Sequence, residues 1–410
     1  MHPSTHPAPA APHPDWPELS ALLAGDPTSL RIWLVHDWLT GMRGGERVLL
    51  QLVRLFPQAK IATLFYLPGH TDIAIESRIA AVSFLQHFPR IGRYYRSLLP
   101  LMFSAIHSIQ LTPCDLVIST SHCVAKNIGV PHGARHLCYC FTPMRYIWDT
   151  QGQYLLNQPN QALKSALELA SPFLRQLDLA GNDGVTRFVG TCQNVCRRIE
   201  RCYHRPATPI YSPIDDHYFQ PSHQPPGDFY LLVSALVSYK RVDLAVRTFA
   251  ADPQRRRLII IGAGPELPAL QRLAGAALHK QIQFLHWQDD ARVRWHYQHC
   301  QALIFPGEED FGLTPLEVQA CARPVIAYGR GGVLETAIPL QPDGSNQNQA
   351  GAIFFSSPTP ESLACAIDRC QAQQSHFNPA ALRANAQRFN IAQFRREICR
   401  AVGELLRQQA

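Results

Sequence analysis

A chain of 410 residues, 46% hydrophobic and 17% charged, has the make-up of a folded protein large enough for two or three cores, which excludes a collagenous, repetitive or coiled fibre. Its longest apolar runs are too short for a membrane span, and its 12 cysteines are scattered rather than spaced as a disulfide or zinc framework. The formal charge of +7 suits a nucleic-acid, nucleotide or anionic-lipid partner, but the basic residues form no long run and no aromatic-and-basic nucleic-acid motif.

Residues 1–30 are rich in Pro, Ala and His with little periodicity and read as a tail ahead of the fold. They lack the basic start and apolar centre of a signal peptide, so a reduced, cytoplasmic protein is expected. Cys138 with Cys140, and Cys192 with Cys196, then read as small buried hydrophobes. A strand is predicted over Arg31–Asp37. A loop carrying Gly44 and Gly45 follows, then a helix from Arg47 to Phe56 with apolar residues at Val48, Leu49, Leu52, Val53 and Phe56. Two adjacent glycines let a phosphate approach the backbone, and the helix dipole behind them favours negative charge. Between His87 and Ile109, Arg90, Arg93 and Arg96 interleave with aromatic and aliphatic residues, a pattern that suits an anionic membrane surface or simply the wet face of a helix. Strands are predicted at Asp115–His122 and in the segment His136–Asp149, and a strand with a following helix at Arg187–Tyr203.

Proline-rich text from Pro221 to Gly227 reads as a linker, which divides the fold into residues 31–220 and 227–388 with a closing helix in 389–410. The second half opens on the apolar strand Phe229–Ser234. Lys240 and Arg241 stand where that strand turns into a helix, a place from which a flexible ammonium can reach an anionic ligand. Leu258–Ile261 leads into Gly262-Ala263-Gly264-Pro265-Glu266-Leu267; Leu267 occupies the third glycine position of the dinucleotide fingerprint, which disfavours an NAD enzyme. Ala302–Phe305 is a buried strand that opens into Gly307-Glu308-Glu309-Asp310-Phe311-Gly312-Leu313. Thr314 is then expected as N-cap, with Pro315 at the first helical position. Glu317 fits either a capping box with Thr314 or, paired with Glu309 eight positions earlier, a grip on two parts of one ligand. A second glycine turn, Gly331-Gly332, enters another helix at Glu335.

The Glu309-to-Glu317 segment resembles the E-x7-E signature of retaining glycosyltransferases of family 4. Tyr139-Cys140-Phe141-Thr142-Pro143-Met144-Arg145-Tyr146 resembles a motif of their bacterial lipopolysaccharide and polysaccharide members, with Phe141 where that motif has His. The resemblance runs from Arg31 to Leu406 and implies an α/β GT-B fold, two Rossmann-like α/β/α domains facing across a cleft. It implies Glu309 and Lys240 as catalytic residues. Glu317, Gly44, Gly45, Gly262, Gly264, Arg241, Phe311, Gly312, Leu313 and Thr314 are implied on the donor, and Arg145, Asp149 and His122 toward the acceptor. The family Arg five positions before the lysine is replaced by Ala235. No metal or other cofactor is expected. The implied donor is GDP-mannose, with a UDP-hexose as the alternative. The implied acceptor is a saccharide or lipid-linked saccharide in cell-surface polysaccharide synthesis, with possible contact of the protein with the inner membrane face. A catalytically weak sugar-nucleotide-binding scaffold is the other class of reading.

Overall fold

The computed structural model describes residues 20–21, 26–148 and 161–407, with the side chains of Tyr146 and of residues 161–168 left out. Two parallel sheets carry the fold. In the first, strands β1 (Ile32–His36), β2 (Lys60–Thr63), β3 (Ile79–Val82), β4 (Leu116–Ser121), β5 (Arg135–Cys140), β6 (Arg187–Gly190) and β7 (Ala207–Pro209) lie in the order β3-β2-β1-β4-β5-β6-β7. In the second, β8 (Phe229–Val233), β9 (Arg257–Ile261), β10 (Ile282–Phe284), β11 (Leu303–Phe305), β12 (Val325–Tyr328) and β13 (Ala352–Phe355) lie in the order β10-β9-β8-β11-β12-β13. Strands β1, β4, β8 and β11 are buried throughout but for Val233, as strands covered on both faces should be; β8 and β11 are unbroken apolar runs, whereas β1 ends in His36 and β4 in Ser119, Thr120 and Ser121.

Among the described residues, the helices of eight or more residues are α1 (Gly44–Leu55), α2 (Leu99–His107), α3 (Gln161–Ala180), α4 (Gln193–Tyr203), α5 (Val242–Ala250), α6 (Leu267–Ala274), α7 (Asp290–His299), α8 (Leu313–Ala320), α9 (Pro360–Ala372), α10 (Pro379–Gln387) and α11 (Ile391–Arg407). The chain crosses between the sheets twice, side by side: the Ile214 N–H donates to the Phe389 carbonyl at 2.9 Å. After the second crossing α11 returns to the first sheet, burying Phe394, Ile398, Val402 and Leu405 among residues of β1, β4, β5 and α1.

Strand order fixes where a ligand site can form. In each sheet the order reverses next to the first strand, between β1 and β4 and between β8 and β11, and the loops leaving adjacent strands part there to open a crevice. Asp37 and His122 follow the first pair, Lys240 and Glu309 the second.

Two element boundaries differ from expectation. Helix α1 begins at Gly44 rather than Arg47, so both glycines form its first turn; the Arg43 N–H donates to the Glu46 carboxylate at 3.1 Å and supplies the start signal that the glycines obscure. Helix α8 begins at Leu313, after Gly312 at a positive φ of 88°, so Thr314 is not the cap and Pro315 is not the first residue. The left-handed turn at Gly312 starts the helix two positions early. The basic segment does not form one helix either. It is broken into Ile91–Tyr94, a 3-10 turn at Tyr95–Leu98 and α2, which packs Met102, Phe103 and Ile106 into the core while Arg90, Arg93 and Arg96 stay exposed.

Candidate functional site

The acidic loop after β11 is shaped by the glycine turn after β12. Gly331 has a φ of 73°, and a Cβ there would lie 2.3 Å from the Glu309 carbonyl oxygen; one on Gly332 would lie 2.3 Å from that of Asp310. The Gly332 N–H donates to the Glu309 carbonyl at 2.8 Å. Any side chain at either position pushes Glu309 and Asp310 out of place. Below the loop, the Lys240 backbone packs on Gly307, where a Cβ would lie 2.9 Å from the Lys240 carbonyl oxygen. These approaches bring the Lys240 ammonium into ion-pair contact with the Glu309 carboxylate, both side chains less than one-fifth exposed.

Glu317 lies in the second turn of α8 and is buried. With Thr314 no longer the cap, the capping-box reading of Glu317 falls. Its carboxylate accepts from the Tyr297 hydroxyl at 2.9 Å and stands 4.0 Å from the Arg47 guanidinium of α1. Burial pushes the Glu317 carboxyl above its ordinary range, with Arg47 and Tyr297 pulling the other way. Arg47 itself bridges the cleft, meeting Asp290 of α7 at 2.6 Å. Close by, Gly44 faces α8 so tightly that a Cβ would lie 3.1 Å from Leu313 Cδ1.

The remaining donor-side candidates hold backbone or core. Gly262 and Gly264 let the β9 turn lie on the loop after β8, where Cβ atoms would come within 1.8 Å of the Ser234 and 2.2 Å of the Leu236 carbonyl oxygens. Arg241 sits at a φ of 52° and its guanidinium donates to Asp243 at 3.2 Å. Phe311 is buried with Tyr211 and Phe389 at ring distances of 6.0 and 6.1 Å. Thr314 is half-buried in the first turn of α8.

On the first domain, the Asp37 carboxylate is fully buried and accepts four backbone N–H groups, from His122, Cys123, Val124 and Ala125, at 2.7 to 3.0 Å. It also meets His122 Nδ1 at 3.0 Å. This clamp joins the loops leaving β1 and β4, and an acid ending the first strand was the one sequence signal for it. His122, Phe141 and His36 form one ring cluster with centroids 6.4 to 6.5 Å apart beside Gly45. Burial holds His36 down at about 4, so it is neutral at pH 7.

Burial also pulls His122 down, but the Asp37 charge and hydrogen bond outweigh it and the imidazole is held above its ordinary 6.5. Asp37 is held below its ordinary 3.8, His122 and the hydrogen bonds overcoming burial. The pair therefore stabilises the fold fully between those two ordinary values. That contribution declines as pH rises through the folded histidine value, and again as pH falls through the folded aspartate value. Thermal melting against pH should show the high-pH decline flatten in His122→Gln, and Asp37→Ala should cost about 3–5 kcal/mol in denaturant unfolding.

Arg145, expected toward the acceptor, spans the domains: Nε donates to the Asp310 carboxylate at 2.9 Å and a terminal nitrogen lies 2.8 Å from the same oxygen. Burial would raise Asp310, but Arg145, Arg198 and Thr142 hold its carboxyl below the ordinary range. Across the same seam Glu335 accepts the Gln193 and Asn194 N–H groups at the start of α4, each at 2.8 Å. Asp149 lies outside the described residues. Among the described residues no three His, Cys, Asp or Glu side chains gather as a metal-ligand set, and no helix is long and apolar enough to cross a membrane.

Residues 214–389, essentially the second domain, match the family described as "Glycosyl transferases group 1". Among curated proteins, the chain is 32% identical over 126 residues to the D-inositol 3-phosphate glycosyltransferase of Frankia alni, covering 27% of this chain and 31% of the relative. It is 39% identical over 62 residues to an alpha-1,3/1,6-mannosyltransferase of Dictyostelium discoideum, covering 15% of each. The matched stretches thus span a third or less of these relatives. Over nearly the whole chain the fold is that of HepE from Anabaena, solved with UDP and glucose, with a TM-score of 0.66 at 17% identity, covering 92% of this chain and 100% of that one. Sucrose-phosphate synthase from Thermosynechococcus elongatus superposes with a TM-score of 0.67 at 17% identity, covering 92% and 99%. The architecture is therefore GT-B, two parallel-sheet Rossmann-like domains facing across a cleft.

Proposed function

We propose that the protein is a retaining glycosyltransferase that moves a hexosyl unit, in the first instance mannosyl from GDP-mannose, to a saccharide or lipid-linked saccharide. The observation that carries this reading is the convergence of Lys240, Glu309 and Glu317 on one cleft from three elements, inside the segment that matches the group 1 family. The donor diphosphate takes Lys240 away from Glu309, and Glu309 then turns to the sugar. Glu317, with Tyr297 behind it, receives the ribose hydroxyls. The bond from the anomeric carbon to the phosphate oxygen breaks, and a bond to the acceptor oxygen forms on the same face. The acceptor proton passes to the leaving phosphate. Lys240 and the free N–H groups at the start of α8 stabilise the charge that develops there.

Incubation with GDP-mannose, UDP-glucose or UDP-galactose should release nucleoside diphosphate with one of them. The first sugar anomer seen by proton NMR should match the donor's; the opposite anomer would contradict retention.

The basic segment supports a peripheral membrane role. Phe84, Phe88, Tyr94 and Leu101 are 39 to 48% exposed beside the exposed Arg90, Arg93 and Arg96. Co-sedimentation with vesicles of 30% phosphatidylglycerol should exceed that with phosphatidylcholine alone. It should fall when the three arginines are replaced by glutamine.

A further inference from the structure

Helix α4 carries Asn194, Arg197, Arg198 and Arg201 at helical spacing on one face, and that face lines the cleft. With Arg145 they form one wall of a pocket of about 310 Å³ whose other wall is Glu308, Glu309 and Asp310. The pocket's charges do not cancel. Asp310 is answered by Arg145 at 2.8 Å, and Glu309 by Lys240. Beyond those two pairs, the three guanidiniums of α4 face the exposed carboxylate of Glu308, with Arg198 also sharing Asp310, so the positive charge is in excess, since Glu200 does not line the pocket. The Arg198 Nε is buried with no hydrogen-bond partner, its nearest acid oxygen being Asp310 Oδ1 at 3.6 Å. The α4 N-terminus does not explain the cluster, because Glu335 already occupies its first N–H groups.

Like charges gathered on one helix face of a narrow cleft repel one another unless an anion sits among them. Guanidiniums present paired N–H donors that match phosphate oxygens. Glu309 belongs both to this pocket and to the Lys240 pair, so an anion held here lies beside the place where the sugar is transferred.

We infer that Arg197, Arg198 and Arg201 form a subsite for a phosphate or diphosphate ester carried by the acceptor, separate from the donor diphosphate at Lys240. The inference rests on the transferase reading and adds the acceptor's chemical class to it. A phosphate near the reacting hydroxyl has two sources, a soluble sugar phosphate or a lipid diphosphate.

The test is thermal melting of the full chain saturated with the nucleoside diphosphate that stabilises it most among GDP, UDP and ADP, then titrated with inorganic pyrophosphate. A second, saturable rise is expected. It should need at least about tenfold more pyrophosphate in Arg197→Gln/Arg201→Gln, as losing charge-assisted contacts implies, while the nucleotide-induced rise is unchanged. Both arginines are exposed, so the variant should melt near wild type without ligand. A nucleotide rise with no second rise, or an equal second rise in the variant, overturns the subsite alone. Loss of the nucleotide rise in the variant overturns it too, by assigning these arginines to the donor. No nucleotide rise in wild type overturns the transferase reading and the subsite together. Glucose 1-phosphate and geranyl diphosphate as competitors then separate the soluble source from the lipid one.

Discussion

Replacing Lys240 by methionine is expected to lower turnover of the sugar nucleotide about 10²- to 10³-fold, the scale set by removing one pre-positioned donor to a developing anion. Stability should fall by about 1–3 kcal/mol, because Lys240 and Glu309 are each less than one-fifth exposed and the carboxylate left behind loses its partner. A loss of that size leaves the protein folded, so the fall in turnover reports the ammonium acting as the phosphate charge grows. Lys240→Arg should not rescue, because the planar fork needs a different approach and the backbone here is held tightly against Gly307. Steady-state kinetics separates the outcomes. A fall in kcat beyond any rise in KM places Lys240 on the leaving group as well as on the bound diphosphate, whereas a rise in KM with kcat intact makes it a ground-state binding residue alone.

The second large effect concerns Glu317. Glu317→Gln should keep or raise the melting temperature while weakening nucleotide binding by at least about tenfold, the equivalent of one charge-assisted hydrogen bond to ribose. Burial dominates the raised Glu317 carboxyl, so the folded chain disfavours its charge. Its contribution to stability is fully present below the ordinary value of 4.5 and is lost as pH rises through the folded value. A glutamine removes that loss and still accepts from the Tyr297 hydroxyl, while Arg47 keeps Asp290. A merely structural Glu317 would lose stability and binding together. Calorimetric binding beside thermal melting over pH 4–8 tells the two apart.

The two sheets were legible in the sequence because their central strands open on apolar, β-branched or aromatic runs of three to five residues, each followed by glycine or polar text. Strands β2 and β3 of the first sheet were not. Lys60–Thr63 and Ile79–Val82 are only four residues long, and no position of Ile79–Val82 is fully buried, so tertiary pairing rather than local pattern makes them strands. The positions of Lys240, Glu309 and Glu317 were legible for a related reason: each stands at a strand exit or early in a helix, where open α/β sheets present ligands. What local reading missed are partners that meet only in space. Arg47 lies 243 positions from Asp290, and Asp37 about 85 from the N–H groups it clamps. Thr314 misled because a good cap residue was outranked by a left-handed glycine two positions earlier. The arginines of α4 were visible as Arg197-Arg198 and Arg201, but nothing local shows that their face borders Glu309 rather than solvent.

Lys240 and Glu317 are proposed to hold a sugar nucleotide in this cleft. Thermal melting of the purified protein with GDP-mannose, UDP-glucose, GDP, UDP, ADP and NAD tests it most directly, since a ligand that binds only the folded state raises the melting temperature. The predicted result is a selective rise with one sugar nucleotide and its diphosphate that shrinks in both Lys240→Ala and Glu317→Ala. A rise with NAD alone, no rise at all, or an equal rise in both variants would contradict it.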